Sequence, residues 1–182
     1  MKRSIEMWKN ICSLLLVFVL FACDEPADLA NSQSYEKDGV SFILPGNWKV
    51  VGEEREEGFR YIDIATSTDA VAGISVFSNG AMFNLEDYVN LIIDSFNDLL
   101  PVGSRDRGDI VEFEVDQSDK VEKALRNQFS ITLANVEVPH TADFYEMKVQ
   151  SDRVIIFTQT TNEEKELVQK GFDQLIQSFK QD

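Results

Sequence analysis

Two cysteines, at positions 12 and 23, are all the sequence holds, and both lie in its N-terminal stretch. From residue 24 onward there is no thiol, which excludes a disulfide framework and cysteine chemistry from the body of the chain. Histidine is scarcer still, with His140 the only one. A histidine-based triad would have to use it, and a zinc site would have one imidazole and no free cysteine to draw on. His140 stands in Val-Pro-His-Thr, which reads as an exposed loop. There is no Gly-x-Ser-x-Gly elbow, no phosphate-cradling glycine loop and no His-Glu-x-x-His helix. The expectation is a non-enzyme with no catalytic residue, no cofactor and no metal site. Basic charge is short as well: 17 Lys and Arg face 32 Asp and Glu, a net charge of −15. Such a chain repels nucleic acid and anionic headgroups alike. Long apolar runs are missing too, since residues 11–21 supply eleven apolar or near-apolar positions where a membrane span needs about 20.

That short run has another use. It follows Lys2, Arg3 and Lys9 and ends in Leu20-Phe21-Ala22-Cys23, the layout of a secretory signal peptide. Its last four residues resemble the bacterial lipobox, with an aliphatic residue, a small residue and then the cysteine that becomes the lipidated N-terminus. The resemblance implies a leader over residues 1–22 and lipidation at Cys23, with N-terminal acyl groups such as palmitate holding the protein to a membrane of the cell envelope. Removing the leader takes the net charge from −15 to about −17, so attachment would rest on the acyl chains and not on a basic patch. Residues 24–34, DEPADLANSQS, show no periodicity, and the stretch 23–34 reads as a lipidated cysteine and flexible tether.

One domain is expected over residues 35–182, large enough to fold without metal or disulfide. Residues 40–44 alternate as a strand, Pro45-Gly46-Asn47 supplies a turn, and Trp48 opens a short strand to Val51. Residues 52–58, GEEREEG, read as a charged hairpin tip, followed by strands over 59–66 and 71–78. The period then changes. Leu85, Tyr88, Val89, Ile92, Phe96 and Leu99 line one face of a helix over 85–100, with Asn84 as its cap and Pro101 and Gly103 as its stop. Val111, Phe113 and Val115 alternate with acids as a half-buried strand. Leu125, Phe129, Ile131 and Leu133 continue that period, although residues 121–128 also fit a helical turn. Strands over 144–149 and 153–160 form a hairpin. Thr161 and Glu164 make a capping box for a last helix that turns Leu167, Val168, Phe172, Leu175, Ile176 and Phe179 inward. Short connections imply antiparallel pairing. The fold class is therefore α+β, an antiparallel sheet packed by two main amphipathic helices.

Two patterns carry a further resemblance. The run DGVSFILPGNW at 38–48 places Gly39, Phe42, Pro45 and Trp48 in the order G-x-x-F-x-x-P-x-x-W, and Ser178-Phe179-Lys180 closes the chain. Over residues 35–180 the layout resembles the PsbP-like superfamily, which includes the extrinsic photosystem II subunit, a Ran-binding nuclear import factor and bacterial envelope proteins of the DcrB type. The resemblance implies a PsbP-like sandwich and a binding or assembly role, and it brings no catalytic residue.

Two groups remain as candidate sites. Glu53, Glu54, Glu56 and Glu57 are the densest acids, read as a solvated, self-repelling tip, with weak calcium binding as the alternative. Phe59 and Tyr61 share one strand face while Ile62 and Ile64 share the other. Either a helix covers each face, or the aromatics form an open patch that receives a partner. The function expected is thus a lipid-anchored, non-catalytic binding or assembly factor with an envelope protein partner. A small-ligand-binding lipoprotein and a carboxylate-based hydrolase are the alternatives.

Overall fold

The structure, a computed structural model, describes residues 25–78, 84–99, 103–115, 118–149 and 152–181. The leader, Cys23 and Pro101 lie outside the described residues. Among the described residues eleven strands and two helices follow one another: β1 (Gln33–Lys37), β2 (Val40–Leu44), β3 (Lys49–Glu56), β4 (Phe59–Ala65), β5 (Val71–Phe77), α1 (Leu85–Leu99), β6 (Ser104–Arg105), β7 (Asp109–Glu112), β8 (Val121–Leu133), β9 (Val136–Met147), β10 (Arg153–Thr161), α2 (Lys165–Ser178) and β11 (Lys180–Gln181). Pairing is antiparallel throughout these strands. The large sheet runs β3-β4-β5-β10-β9-β8-β6 with β7 also on β8, and a small sheet runs β1-β2-β11.

Each face of the large sheet has its own core. On one side Val40, Phe42 and Leu44 of β2 and Val168, Phe172 and Leu175 of α2 close over Ile62, Ile64, Ile74, Val154 and Ile156. On the other, Leu85, Tyr88, Val89 and Ile93 of α1 close over Leu125, Phe129, Phe144, Ile155 and Phe157. Central strands β5 and β10 are consequently buried on both faces, each with five consecutive buried residues, which is why they read as continuous apolar runs.

The first helix begins where the sequence places it. The second begins at Lys165, past the expected Thr161 box; its N-cap Glu164 makes no side-chain cap bond, and Thr161 and Glu164 instead tie the turn before it. Asn84 Oδ1 accepts the Asp87 N–H at 2.8 Å, and Thr161 Oγ1 accepts the Glu164 N–H at 3.2 Å. The Thr161 hydroxyl also donates to the Glu164 carboxylate at 3.2 Å. In α1 the buried set is Leu85, Tyr88, Val89 and Ile93. Ile92 and Phe96 are half-buried, with Ile93 taking the deep position instead. Trp48 is 1% exposed, edge-on to Phe172 with ring centroids 5.3 Å apart. Its buried indole N–H has no acceptor, so packing alone holds the ring.

Three local expectations are corrected. Gly52–Glu57 is not a loop: β3 runs to Glu56, and only Glu57 and Gly58 turn the chain into β4, with Gly58 at φ +78°. The strand persists because its charges find partners. Glu53 Oε1 accepts from Arg60 Nε at 3.0 Å and Arg55 Nε at 2.8 Å, while its Oε2 accepts from Lys37 Nζ at 2.7 Å. Tyr35 Oη reaches the same carboxylate at 3.2 Å, tying β1 to β3 and β4. His140 is not in a loop but in β9, opposite Phe129. Pro139 is tolerated beside it because β9 there extends beyond the residues that pair with β10. The strand of Val111 covers only Asp109–Glu112 and is exposed along its length, since it pairs with β8 alone. Of the two readings of residues 121–128, the strand is the one present.

The segment read as a tether is docked from Glu25 onward. Asn47 carries both ends of the contact, donating from Nδ2 to Pro26 O at 2.9 Å and accepting the Asp28 N–H at Oδ1 at 3.0 Å. Ala27 N donates to Leu167 O at 2.9 Å and Gly46 N to Asp28 O at 2.8 Å. The Asp28 carboxylate then collects Asn31 Nδ2 and the backbone N–H groups of Ala30 and Asn31. The Asn31 side chain chiefly holds that carboxyl below its ordinary value. A Cβ on Gly46 would meet Asn31 O at 2.5 Å, so the turn glycine is what lets the segment lie down. Asp28 and Asn31 form a local turn without any apolar period, which is why pattern reading missed it.

The Glu53 network gives a pH-dependent stability. Burial pushes this carboxyl up, but Lys37, Arg55, Arg60 and Tyr35 outweigh it and hold it at about 2, against 4.5 unperturbed. A depressed folded-state value means stability that is present above the unfolded value and lost as pH falls through the folded one. Wild type should therefore lose about 2 kcal/mol between pH 5 and pH 2 that Glu53→Gln does not lose. Urea denaturation of both proteins across that range checks it, and parallel pH profiles would refute it.

Candidate functional site

The two faces of β4 have different fates. Ile62 and Ile64 point to the α2 side and are 0% exposed. Phe59, Tyr61 and Asp63, one residue out of step, point to the α1 side and stay half-buried. The cause is where α1 lies. It packs over β8 and β9, with Ile155 and Phe157 of β10 beneath it, and leaves the same face of β4 only partly covered alongside, with Val71 and Phe77 half-buried at the two ends of β5.

The result is a cleft of about 380 Å³ between helix and sheet. Phe59, Tyr61 and Asp63 of β4 and Val71, Ser75 and Phe77 of β5 form its floor. Tyr88, Leu91, Ile92 and Phe96 form the α1 wall, and Phe157 closes the inner end. Aromatic contacts set the shape: Phe59 to Phe77 at 5.1 Å, Phe77 to Tyr88 at 6.0 Å and edge-on, Phe96 to Phe157 at 6.4 Å. Tyr61 lies across the neighbouring strand over Gly73, where an added Cβ would fall within 3.0 Å of its hydroxyl and ring. Leu91 stands at the rim, 54% exposed.

Polar groups are few. Ser75 Oγ and Tyr88 Oη share a buried hydrogen bond of 2.9 Å. Burial pushes the Tyr88 phenol up, with the Ser75 bond working against it. Tyr61 is pushed up first by burial and then by the negative charges of Asp63 and Glu54. Asp63 is the one carboxylate among these lining residues. Across the ladder it faces Gly52 on β3 and Gly73 on β5; the Tyr61 ring covers the Gly73 position, and only the Gly52 side is left without a covering side chain.

Neither reading of Phe59 and Tyr61 holds in full: α1 covers only part of that face, and both rings stay half-buried at the margin of the cleft. The acid cluster is split: Glu53 is held in the ion network, while Glu54, Glu56 and Glu57 are exposed on the β3–β4 hairpin. Among the described residues no group of three His, Cys, Asp or Glu could hold a metal ion. His140 stacks on Phe129 with centroids 5.3 Å apart, and its Nδ1 lies 2.8 Å from Val138 O. Sequence reasoning missed Asp63, Gly73, Ser75 and Leu91 as parts of the site. Gly73 and Ser75 in alternation on one strand face were the available signal, since a small residue under an aromatic neighbour leaves room for it.

The fold and cleft together define an α+β sandwich with one large antiparallel sheet, a helix on each face, and an apolar opening beside one helix. This is the PsbP-like fold. The solution structure of cyanobacterial PsbP (CyanoP) from Synechocystis sp. PCC 6803 matches it with a TM-score of 0.53 and 14% identity, over 85% of this chain and 94% of that one. The Ran-binding protein Mog1p of Saccharomyces cerevisiae gives 0.46 and 8% identity over 82% and 94%. LpqN of Mycobacterium tuberculosis, involved in cell envelope biogenesis, gives 0.41 and 9% over 82% and 89%. At these identities the likeness is one of fold. No protein-family model and no curated protein matches the sequence.

Proposed function

We propose that this chain is a lipid-anchored envelope protein acting as a non-catalytic binding or assembly factor, with the cleft between α1 and β4–β5 as the place where a protein partner is received. The observation that carries the reading is the cleft itself: an apolar opening walled by the half-buried Phe59, Tyr61 and Phe77 and the exposed Leu91, on a chain of net charge −15. A surface of that kind is retained where something covers it. The lining offers one carboxylate, so hydrolysis by a pair of acids finds no pair there. Anchoring rests on the resemblance of Leu20-Phe21-Ala22-Cys23 to the lipobox. The docked residues 25–32 would then hold the domain close to the bilayer, with the chain emerging beside Ser67 and Leu167. A small apolar ligand is the second reading, favoured by a volume within the usual range of about 300–1,000 Å³.

Affinity purification from mildly solubilised envelopes tests both parts. Wild type should bring down a stoichiometric protein partner, Cys23→Ala should incorporate no labelled palmitate and recover less partner, and Leu91→Glu should lose the partner while keeping the anchor. Full recovery with Leu91→Glu would move the site elsewhere, and normal palmitate incorporation into Cys23→Ala would remove the lipid anchor. A bound small molecule with no protein would favour the second reading.

A further inference from the structure

Asp63 breaks a pattern that the other sheltered strand acids keep. Glu53 holds Arg60 at 3.0 Å, Asp143 holds Arg126 at 2.7 Å, and Glu146 holds Arg153 at 3.0 Å. Asp63 is also half-buried on a strand, yet among the described residues it makes no ion pair or hydrogen bond. No lysine or arginine is among the residues lining its cleft. Gly52 leaves the β3 side of the carboxylate uncovered, whereas the Tyr61 ring lies over Gly73 on the β5 side. Glu54, exposed and paired with Tyr61 across the β3–β4 ladder, adds negative charge on the same face.

A carboxylate beside apolar walls loses part of its hydration without gaining a counter-charge. A cation delivered with the occupant would restore that balance and make a charge-assisted hydrogen bond in a weakened dielectric. An acidic occupant would meet repulsion in the same place, so the group selects as well as attracts. Resting on the cleft being the partner site, we infer that its occupant is a cationic apolar protein segment. That segment inserts aromatic or aliphatic side chains between α1 and β4–β5 and sets a lysine or arginine against Asp63. The chain's overall acidity would steer such a segment toward it.

Two synthetic twelve-residue peptides test this, sharing one Leu/Phe/Trp face and carrying either Lys or Glu at the remaining positions. Their affinities would be measured by fluorescence anisotropy in about 0.15 M salt, where long-range attraction is screened. The wild-type protein should prefer the Lys peptide by about tenfold or more. Asp63→Asn should remove most of that preference, whereas Glu166→Gln, which removes one exposed charge from α2, should leave it intact. Equal affinities in wild type, or an equal effect of both substitutions, would overturn the cationic assignment. The cleft itself would survive that result if Leu91→Glu still abolished binding of both peptides. No binding of either peptide, or no effect of Leu91→Glu, would overturn the assignment together with the cleft reading.

Discussion

Gly171→Val should cost this protein about 3 kcal/mol or more, lowering its Tm by about 10 °C for a domain of this size. The reason lies in what faces the glycine. A Cβ there would sit 2.5 Å from Trp48 Cζ2, 2.6 Å from Trp48 Cη2 and 2.9 Å from Pro45 Cγ. Those atoms cannot yield. Trp48 is 1% exposed and Phe172 abuts its face. Pro45 is fixed by its own ring and by the turn that also receives the docked segment at Gly46. A valine must therefore lift α2 off β2 or drive the indole from its site. The gain in helix propensity over glycine, about 0.5 kcal/mol, is too small to compensate. Thermal denaturation followed by tryptophan fluorescence reads the effect, and a Tm within a degree or two of wild type would refute it.

Gly73→Val should do the opposite, leaving stability within about 1 kcal/mol while weakening occupancy of the cleft about 100-fold or more. The added Cβ again falls within 3.0 Å of an aromatic ring, but here the contact is with the far end of Tyr61. That end borders open cleft, so the side chain can swing up and out. Valine suits the β5 backbone, which has ordinary strand pairing on both sides. The strain is relieved by filling the cleft with the displaced phenol. Titration of the Lys-bearing peptide, alongside a denaturation curve, separates the two effects. Unchanged affinity with an unchanged fold would place the binding surface elsewhere.

These two glycines also mark how far the sequence could be read. Both helices, the Asn84 cap and the strands β2, β4, β5 and β10 follow from period and local signals, because each has an apolar stripe that only one geometry can bury. The G-x-x-F-x-x-P-x-x-W run correctly pointed to a packed indole, but its glycine partner on α2 is more than a hundred residues away. The charged run of β3 looked like a solvated tip because its stabilising partners, Lys37, Arg60 and Tyr35, arrive from other strands. Residues 25–32 looked like tether because hydrogen bonds to Asn47 and Leu167 leave no periodic trace. For the site, alternation showed that Phe59 and Tyr61 share a face opposite Ile62 and Ile64. It could not show which face stays open, since that depends on α1 settling over β8 and β9. Leu91 and Asp63 take their meaning from that placement alone.

The central claim is that the cleft beside α1 is where a partner sits. The most direct test is a photo-crosslinking amino acid placed at Leu91 on the cleft rim, in the full-length protein in its own cells. Val136 serves as the control site, 62% exposed at the tip of the β8–β9 hairpin. A single discrete adduct from Leu91, absent from Val136 and lost when Gly73→Val is added, is the result this account predicts. The same adduct from both positions, undiminished by Gly73→Val, would contradict it.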